Sequence, residues 1–176
     1  GQDQRAIEDY DKAIELDPNY AAAYSKRGIS YHALGQDQRA IEDYDKAIEL
    51  DPDYAEAYNN RGISYHALSQ DQRAIEDYDK AIELDPNDPA AYHNRGNSYS
   101  DLGQYQRAIE DHDKAVELDP NYAAAYHIRG DSYSNLGQDQ RAIEDYDKAV
   151  ELDPNYAAAY HNRGNSYSDL GQDQRA

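Results

Sequence analysis

One fourteen-residue phrase recurs through this chain at a fixed interval of 34 residues. It reads RAIEDYDKAIELDP at 5–18, 39–52 and 73–86, then RAIEDHDKAVELDP at 107–120 and RAIEDYDKAVELDP at 141–154. A punctuating series, Gly1, Gly35, Ser69, Gly103, Gly137 and Gly171, keeps the same interval. A strict period of this length points to stacked copies of one small unit and away from a closed globule. Such a unit cannot bury its apolar face alone, and its neighbours complete the core.

Composition by itself points elsewhere. Leu, Ile and Val total 23 of 176 residues, Phe and Trp are absent, and the net charge is −19. Those values are typical of a disordered chain. Alanine and 19 tyrosines are the remaining core material, and their periodic placement makes a core possible.

Each unit reads as two helices. In 21–54 the first carries Tyr24, Gly28, Tyr31 and Leu34 on one stripe, and the second carries Ala40, Ile41, Tyr44, Ala47 and Ile48. Gly35 falls where a helix end accepts a left-handed residue. Pro52 stops the second helix. Asp53 is expected to cap the next first helix, with Glu56 completing a capping box. Asp88 followed by Pro89 predicts a cap and a first-turn proline.

The residues Tyr24, Gly28, Tyr31, Ala40, Tyr44, Ala47 and Pro52 resemble the tetratricopeptide repeat (TPR) pattern. Tyr24 stands where that family usually has Trp, and Tyr44 where it usually has Phe. Every complete unit repeats the set, with His112 replacing the Tyr44-type residue once. One departure is systematic. The family usually has Leu before the helical glycine, but this chain has Arg27, Arg61, Arg95, Arg129 and Arg163. The resemblance implies an all-α fold, a right-handed α-solenoid (superhelix) of antiparallel helix pairs.

Residues 1–176 are expected to form a single array. Residues 1–20 form a half unit (a second helix), 21–54, 55–88, 89–122 and 123–156 are full units, and 157–176 form a half unit (a first helix). The two halves are complementary, so head-to-tail self-association through them is an expectation. The chain contains no Met, which predicts a segment of a longer product or a trimmed start.

The resemblance implies that the first helices line a concave groove that binds proteins or peptides. Its columns here are Ser25, Asn59, His93, His127, His161, then Ile29, Ile63, Asn97, Asp131, Asn165. Beyond them run His32, His66, Ser100, Ser134, Ser168 and Ala33, Ala67, Asp101, Asn135, Asp169. No Lys or Arg stands in these columns, so the clamp with which some relatives hold an acidic tail is missing. The first two full units offer Ile29, Ile63, Ala33 and Ala67, and the later ones offer Asn, His and Asp. The gradient predicts a partner with an apolar segment and a basic or amide-rich one. A structural spacer or self-stacking array is the alternative. The five arginines read as stems packed along the tyrosine stripe with guanidinium groups on nearby carboxylates or rings. The alternative for them is a ladder for anionic ligands.

No catalytic constellation emerges, so a binding protein is expected and an enzyme is not. The GIS, GNS and GDS strings lie inside helices and lack the second glycine of a hydrolase elbow. Arg129–Gly130–Asp131 spells an adhesion tripeptide, but mid-helix. His93, His127 and His161 recur once per layer, about 8–10 Å apart, too far to share one zinc ion at about 2 Å from each. No metal or other cofactor is expected. His112 reads as a partly buried substitution. The net charge disfavours nucleic acid and anionic membranes as partners, and no apolar run is long enough to span a bilayer. The chain has no cysteine, which fits a reducing compartment, and the cytoplasm is the compartment expected.

Overall fold

The computed structural model describes residues 1–173, with side chains to residue 171. Among the described residues all regular structure is helical. The helices are α1 (Gln2–Leu16), α2 (Ala21–Ala33), α3 (Asp37–Leu50), α4 (Ala55–Ala67), α5 (Asp71–Leu84), α6 (Pro89–Asp101), α7 (Tyr105–Leu118), α8 (Ala123–Asn135), α9 (Asp139–Leu152) and α10 (Ala157–Asp173). They fall into two compact units, Gly1–Pro86 with α1–α5 and Asn87–Ala176 with α6–α10.

In the first unit α2 packs on α3 and α4 on α5, giving the two helix pairs. Helix α1 packs on α2 and α3 on α4, joining successive pairs, and the first helices α2 and α4 also touch. The second unit repeats the scheme. Helix α6 packs on α7, α8 on α9, α7 on α8 and α9 on α10, with α6 meeting α8 and α8 meeting α10. This is the layered helix-pair stacking expected of a solenoid.

The turns inside the pairs follow from one backbone device. Gly35, Gly103 and Gly137 have φ of 68°, 70° and 68°, a conformation glycine adopts without penalty. Gly35 N–H then donates to His32 O at 2.8 Å and Gln36 N–H to Tyr31 O at 2.9 Å. These two bonds form a Schellman closure that satisfies carbonyls the helix leaves open. Ser69 takes the same place at φ 57° and keeps the bonds, with Ser69 N–H to His66 O at 2.8 Å and Gln70 N–H to Tyr65 O at 2.8 Å. Helix α10 runs through Gly171 to Asp173, because a glycine permits the left-handed turn without imposing it.

Two local expectations change and a third holds. Leu34, Leu68, Leu102 and Leu136 are exposed C-cap residues and lie outside the core stripe. The closing turn swings their side chains off the helix face. Asp53 does not cap α4. The cap residue is Tyr54, Asp53 N–H donates to Asp51 Oδ1 at 3.2 Å, and Glu56 pairs with Lys26 at 2.8 Å. Asp88 does cap α6, accepting from Ala90 N–H at 2.9 Å with Pro89 behind it.

The core is built on close approach between the helices of a pair. A Cβ added to Gly28 would lie 2.7 Å from the ring of Tyr44, and one on Gly62 or Gly130 would lie 2.5 or 2.7 Å from Tyr78 or Tyr146. Those three rings are each 1% exposed. Burying a ring of this size removes about 150–250 Å² from water, worth roughly 4–6 kcal/mol before entropy. Ala40 and Ala47 flank Tyr44 at 0% exposure and let the helices close around it.

The arginines before the helical glycines tie three helices together. Arg27 on α2 donates through Nε and Nη2 to both oxygens of Asp43 on α3, at 2.8 and 2.6 Å, and through Nη1 to Asp11 on α1 at 2.5 Å. Arg61 does the same to Asp77 and Asp45, and Arg129 to Asp145 and Asp113. Their guanidinium carbons also lie 5.3–5.6 Å from the ring centres of Tyr24, Tyr58 and Tyr126. Bidentate pairs of this kind hold geometry as well as charge. These three cations are each matched by two carboxylates, so they do not form a ladder for anionic ligands.

Candidate peptide-binding face

In the first unit Ser25 is fully buried and its hydroxyl has no hydrogen-bond partner. Ile29 is half-buried against the cluster of Ile7, Tyr31, Ala40 and Tyr44. Asn59 and Ile63 are half-buried, and Ala33 and Ala67 are exposed. His32 Nδ1 lies 2.5 Å from Asp37 Oδ1, and His66 Nδ1 lies 2.7 Å from Asp71 Oδ1. These pairs tie the end of a first helix to the start of the next second helix, which gives both histidines a structural task.

In the second unit two histidines of the groove column lie below the surface. His93 is 8% exposed and stacks on Tyr122 at 4.8 Å, with His112 edge-on at 5.3 Å. Its Nδ1 has no partner. The side-chain amide of Asn97 bridges the two rings, 3.2 Å from His93 Nε2 and 3.3 Å from His112 Nε2. His112 is fully buried, more completely than its sequence position suggests, with Nδ1 2.7 Å from Ala108 O. Burial pushes His93 down to about 4. Burial, then the neighbouring His93, pushes His112 down to about 3 against the pull of the Ala108 carbonyl.

The next layer forms a connected polar site. Asp131 Oδ1 accepts from Tyr146 O–H at 2.8 Å and from Asn162 Nδ2 at 2.7 Å. Asn162 Nδ2 also lies 3.2 Å from His127 Nε2. His127 Nε2 therefore accepts, which places its proton on Nδ1, 3.1 Å from the Tyr156 hydroxyl oxygen. His127 stacks on Tyr156 at 4.7 Å. Burial holds it below the ordinary histidine range, although Asp131 pulls the other way. Asp131 is half-buried, while His161 and Asn165 on α10 are exposed, as is Asp101 on α6. Beside the network lies an open cavity of about 300 Å³ lined by Asp131, Ser134, Asn135, Tyr146, Asn162 and Asn165.

Of the residues singled out from sequence, the structure joins His127, Asp131 and Asn165 around one cavity or its hydrogen-bond network, and His93 with Asn97 by a hydrogen bond. Ser25 is withdrawn from any accessible surface. Asn162 and Tyr146 were not marked. Tyr146 read as pure core, and Asn162 sits one residue past the His161 column. The signal for Asn162 was a weak recurrence of Asn at 60, 94 and 162.

Stacked helix pairs, a left-handed turn in each pair and a helical glycine under an aromatic ring define a helical-repeat protein. The chain belongs to the tetratricopeptide repeat family. A TPR repeat model matches residues 1–35, 30–69 and 130–171, a tetratricopeptide repeat model matches 55–88 and 89–122, and a second tetratricopeptide repeat model matches 113–144. Among solved structures, MamA is 31% identical over 86% of this chain and 88% of its own, with a TM-score of 0.78. YrrB, described as a TPR protein with an unusual peptide-binding site, is 28% identical over 93% of this chain and 84% of its own, TM-score 0.77. The first TPR of Spaghetti (RPAP3), bound to the HSP90 peptide SRMEEVD, is 29% identical over 66% of this chain and 93% of its own, TM-score 0.66. Among curated proteins no sequence matches significantly. No helix among the described residues is long and apolar enough to cross a membrane.

Proposed function

We propose that this chain is a non-catalytic protein-interaction scaffold, one TPR array that binds peptide segments on its first-helix face. The observation that carries the reading is the open polar cavity between α8 and α10, on the face where the repeats differ most from one another. The peptide-bound RPAP3 repeat and the peptide-binding site of YrrB support it by likeness of fold. The ligand is not an acidic tail like the one in the RPAP3 complex, because no Lys or Arg stands in the groove columns. An apolar segment suits the face of the first unit, with Ile29, Ile63, Ala33 and Ala67. A basic or amide-rich segment suits the second.

Peptide-library panning tests this against a variant carrying Ala33→Arg, Ala67→Arg, Asn135→Arg and Asp169→Arg. All four positions are exposed, so the changes crowd the face without opening the core. Peptides enriched on the parent and lost on the variant are expected. No such enrichment would overturn the groove reading.

A second reading is self-association. Leu16 and Tyr20 around the end of α1, and Tyr160 and Tyr167 on α10, are exposed large apolar side chains, and a heterologous contact between copies would cover them. Light scattering across a wide concentration range tests it, and a constant monomer mass would sink it.

A further inference from the structure

The cavity between α8 and α10 carries a specific chemistry, and the inference about it rests on the first-helix reading above. We propose that it receives the cationic end of a lysine or arginine side chain from a bound peptide.

The lining offers a countable set of donors and acceptors. Asn162 spends its Nδ2 on the Asp131 carboxylate at 2.7 Å and on His127 Nε2 at 3.2 Å. A carboxylate only accepts, so the orientation of that amide is set. Asn135 spends its Nδ2 on the backbone carbonyl of Asp131 at 2.8 Å, which sets its orientation too. Tyr146 spends its O–H on Asp131 Oδ1. Asn162 and Tyr146 have thereby spent all their donors, and Asn135 keeps one N–H. The acceptors left over are Oδ1 of Asn135, Oδ1 of Asn162 and the second carboxylate oxygen of Asp131. The basic nitrogen that the second oxygen meets among the described residues is His127 Nε2, at 3.8 Å. The Nε2 already accepts from Asn162, so it brings no proton to Asp131.

A half-buried site with one negative charge and a surplus of acceptors is complementary to a group that is positive and carries only donors. Ammonium and guanidinium are the two such groups in proteins. No Lys or Arg among the described residues lines the cavity. Arg129, two residues away, is held on Asp145 and Asp113. The volume of about 300 Å³ admits a long side chain with a few waters. A divalent ion fits less well. One carboxylate with neutral amide oxygens is a weak cage for calcium or magnesium, which take several charged oxygens.

The repeat comparison adds an independent observation. The position of Asp131 is Ile29, Ile63, Asn97 and Asn165 in the other repeats. A carboxylate occurs there once, and the hydroxyl of Tyr146 donates to it. In the first repeat the same position is an isoleucine packed on the apolar cluster that contains Tyr44.

The test is an NMR titration of the whole chain at low salt with n-butylammonium and n-butylguanidinium, the side-chain ends themselves. Asp131→Asn keeps an acceptor for Tyr146 and Asn162 and removes the charge and the free second oxygen. Saturable shifts of the Asn135 and Asn162 side-chain amides are expected for the cations and not for n-butanol, weakened about tenfold or more in D131N. Equal shifts with n-butanol, an unchanged response in D131N, or calcium saturating the same resonances in preference to either organic cation would each overturn the assignment. Panning separates the two readings. Enriched peptides without Lys or Arg would keep the groove and remove this site. Cation binding with no peptide enrichment would keep the site and remove the groove.

Discussion

Replacing His112 by tyrosine should make the second unit markedly less sensitive to acid. His112 occupies the slot that Tyr44, Tyr78 and Tyr146 fill elsewhere, at 0% exposure. The backbone spacing is the same, since a Cβ on Gly96 would lie 2.6 Å from the His112 ring against 2.5–2.7 Å for the tyrosines. His112 is pushed down to about 3 by burial and by His93, and His93 to about 4 by burial. The ordinary histidine value near 6.5 applies to the unfolded chain. Folded imidazoles are therefore neutral where unfolded ones take up protons. Stability is complete above about pH 6.5 and falls as the pH drops from there toward about 4 and then 3. At pH 5 each buried histidine costs about 2 kcal/mol by this linkage. His112→Tyr removes one of the two contributions, so the loss of stability between pH 7 and pH 5 should shrink by about 2 kcal/mol. Urea denaturation followed by circular dichroism measures it. Hydrogen exchange of α6 and α7 amides localises it, because repeat arrays need not unfold as one block. The many surface carboxylates titrate in both proteins and cancel. An equal loss in parent and variant, or an NMR titration of His112 near 6.5, would refute the argument.

Ser69→Gly should stabilise the first unit by about 1 kcal/mol, because Ser69 holds a left-handed φ that costs an L-residue. Thermal denaturation reads the gain. Gly130→Ala should destabilise by about 1–3 kcal/mol through overpacking against the buried Tyr146 ring. Gly164→Ala has nothing within 4 Å of the new Cβ and should stabilise α10 by up to about 1 kcal/mol. The opposite signs can be compared in one set of melts. Arg61→Ala leaves Asp77 buried without its bidentate partner and should cost about 3 kcal/mol. Burial already raises the Asp77 carboxyl despite Arg61. In the variant its pKa should rise further, and the lost stability should be partly regained as the pH falls and the carboxyl is protonated. Carbon-detected NMR of the carboxyl would show whether it does.

The 34-residue period and the alternation of small and aromatic residues made the helix pairs legible in the sequence. Gly28 with Tyr44 and Gly35 at the turn are local requirements written in residue type. The arginine before each glycine was legible as a departure and as a stem along the tyrosines. That Arg27, Arg61 and Arg129 each grip one carboxylate of their own repeat and one of the repeat before, both sixteen residues away, was not. The spacing is symmetric, but only packing shows which aspartates lie within reach. The candidate site was legible as columns, and columns carry no depth. Ser25, Asn59, His93, His127 and His161 share a register, yet Ser25 is buried, His93 and His127 stack under tyrosines of the following layer, and His161 is open. A residue's exposure in a stacked array depends on what the next layer places over it.

The sequence alone determined that the chain builds helix pairs and turns them with glycine, because period and backbone freedom act within one unit. Only the tertiary structure decided which polar groups spend their hydrogen bonds on each other and which are left over. That balance is struck between side chains 15 and 31 residues apart, as Tyr146 and Asn162 meet Asp131. Burial makes each such pairing favourable and leaves the remaining oxygens of the α8–α10 cavity for a ligand.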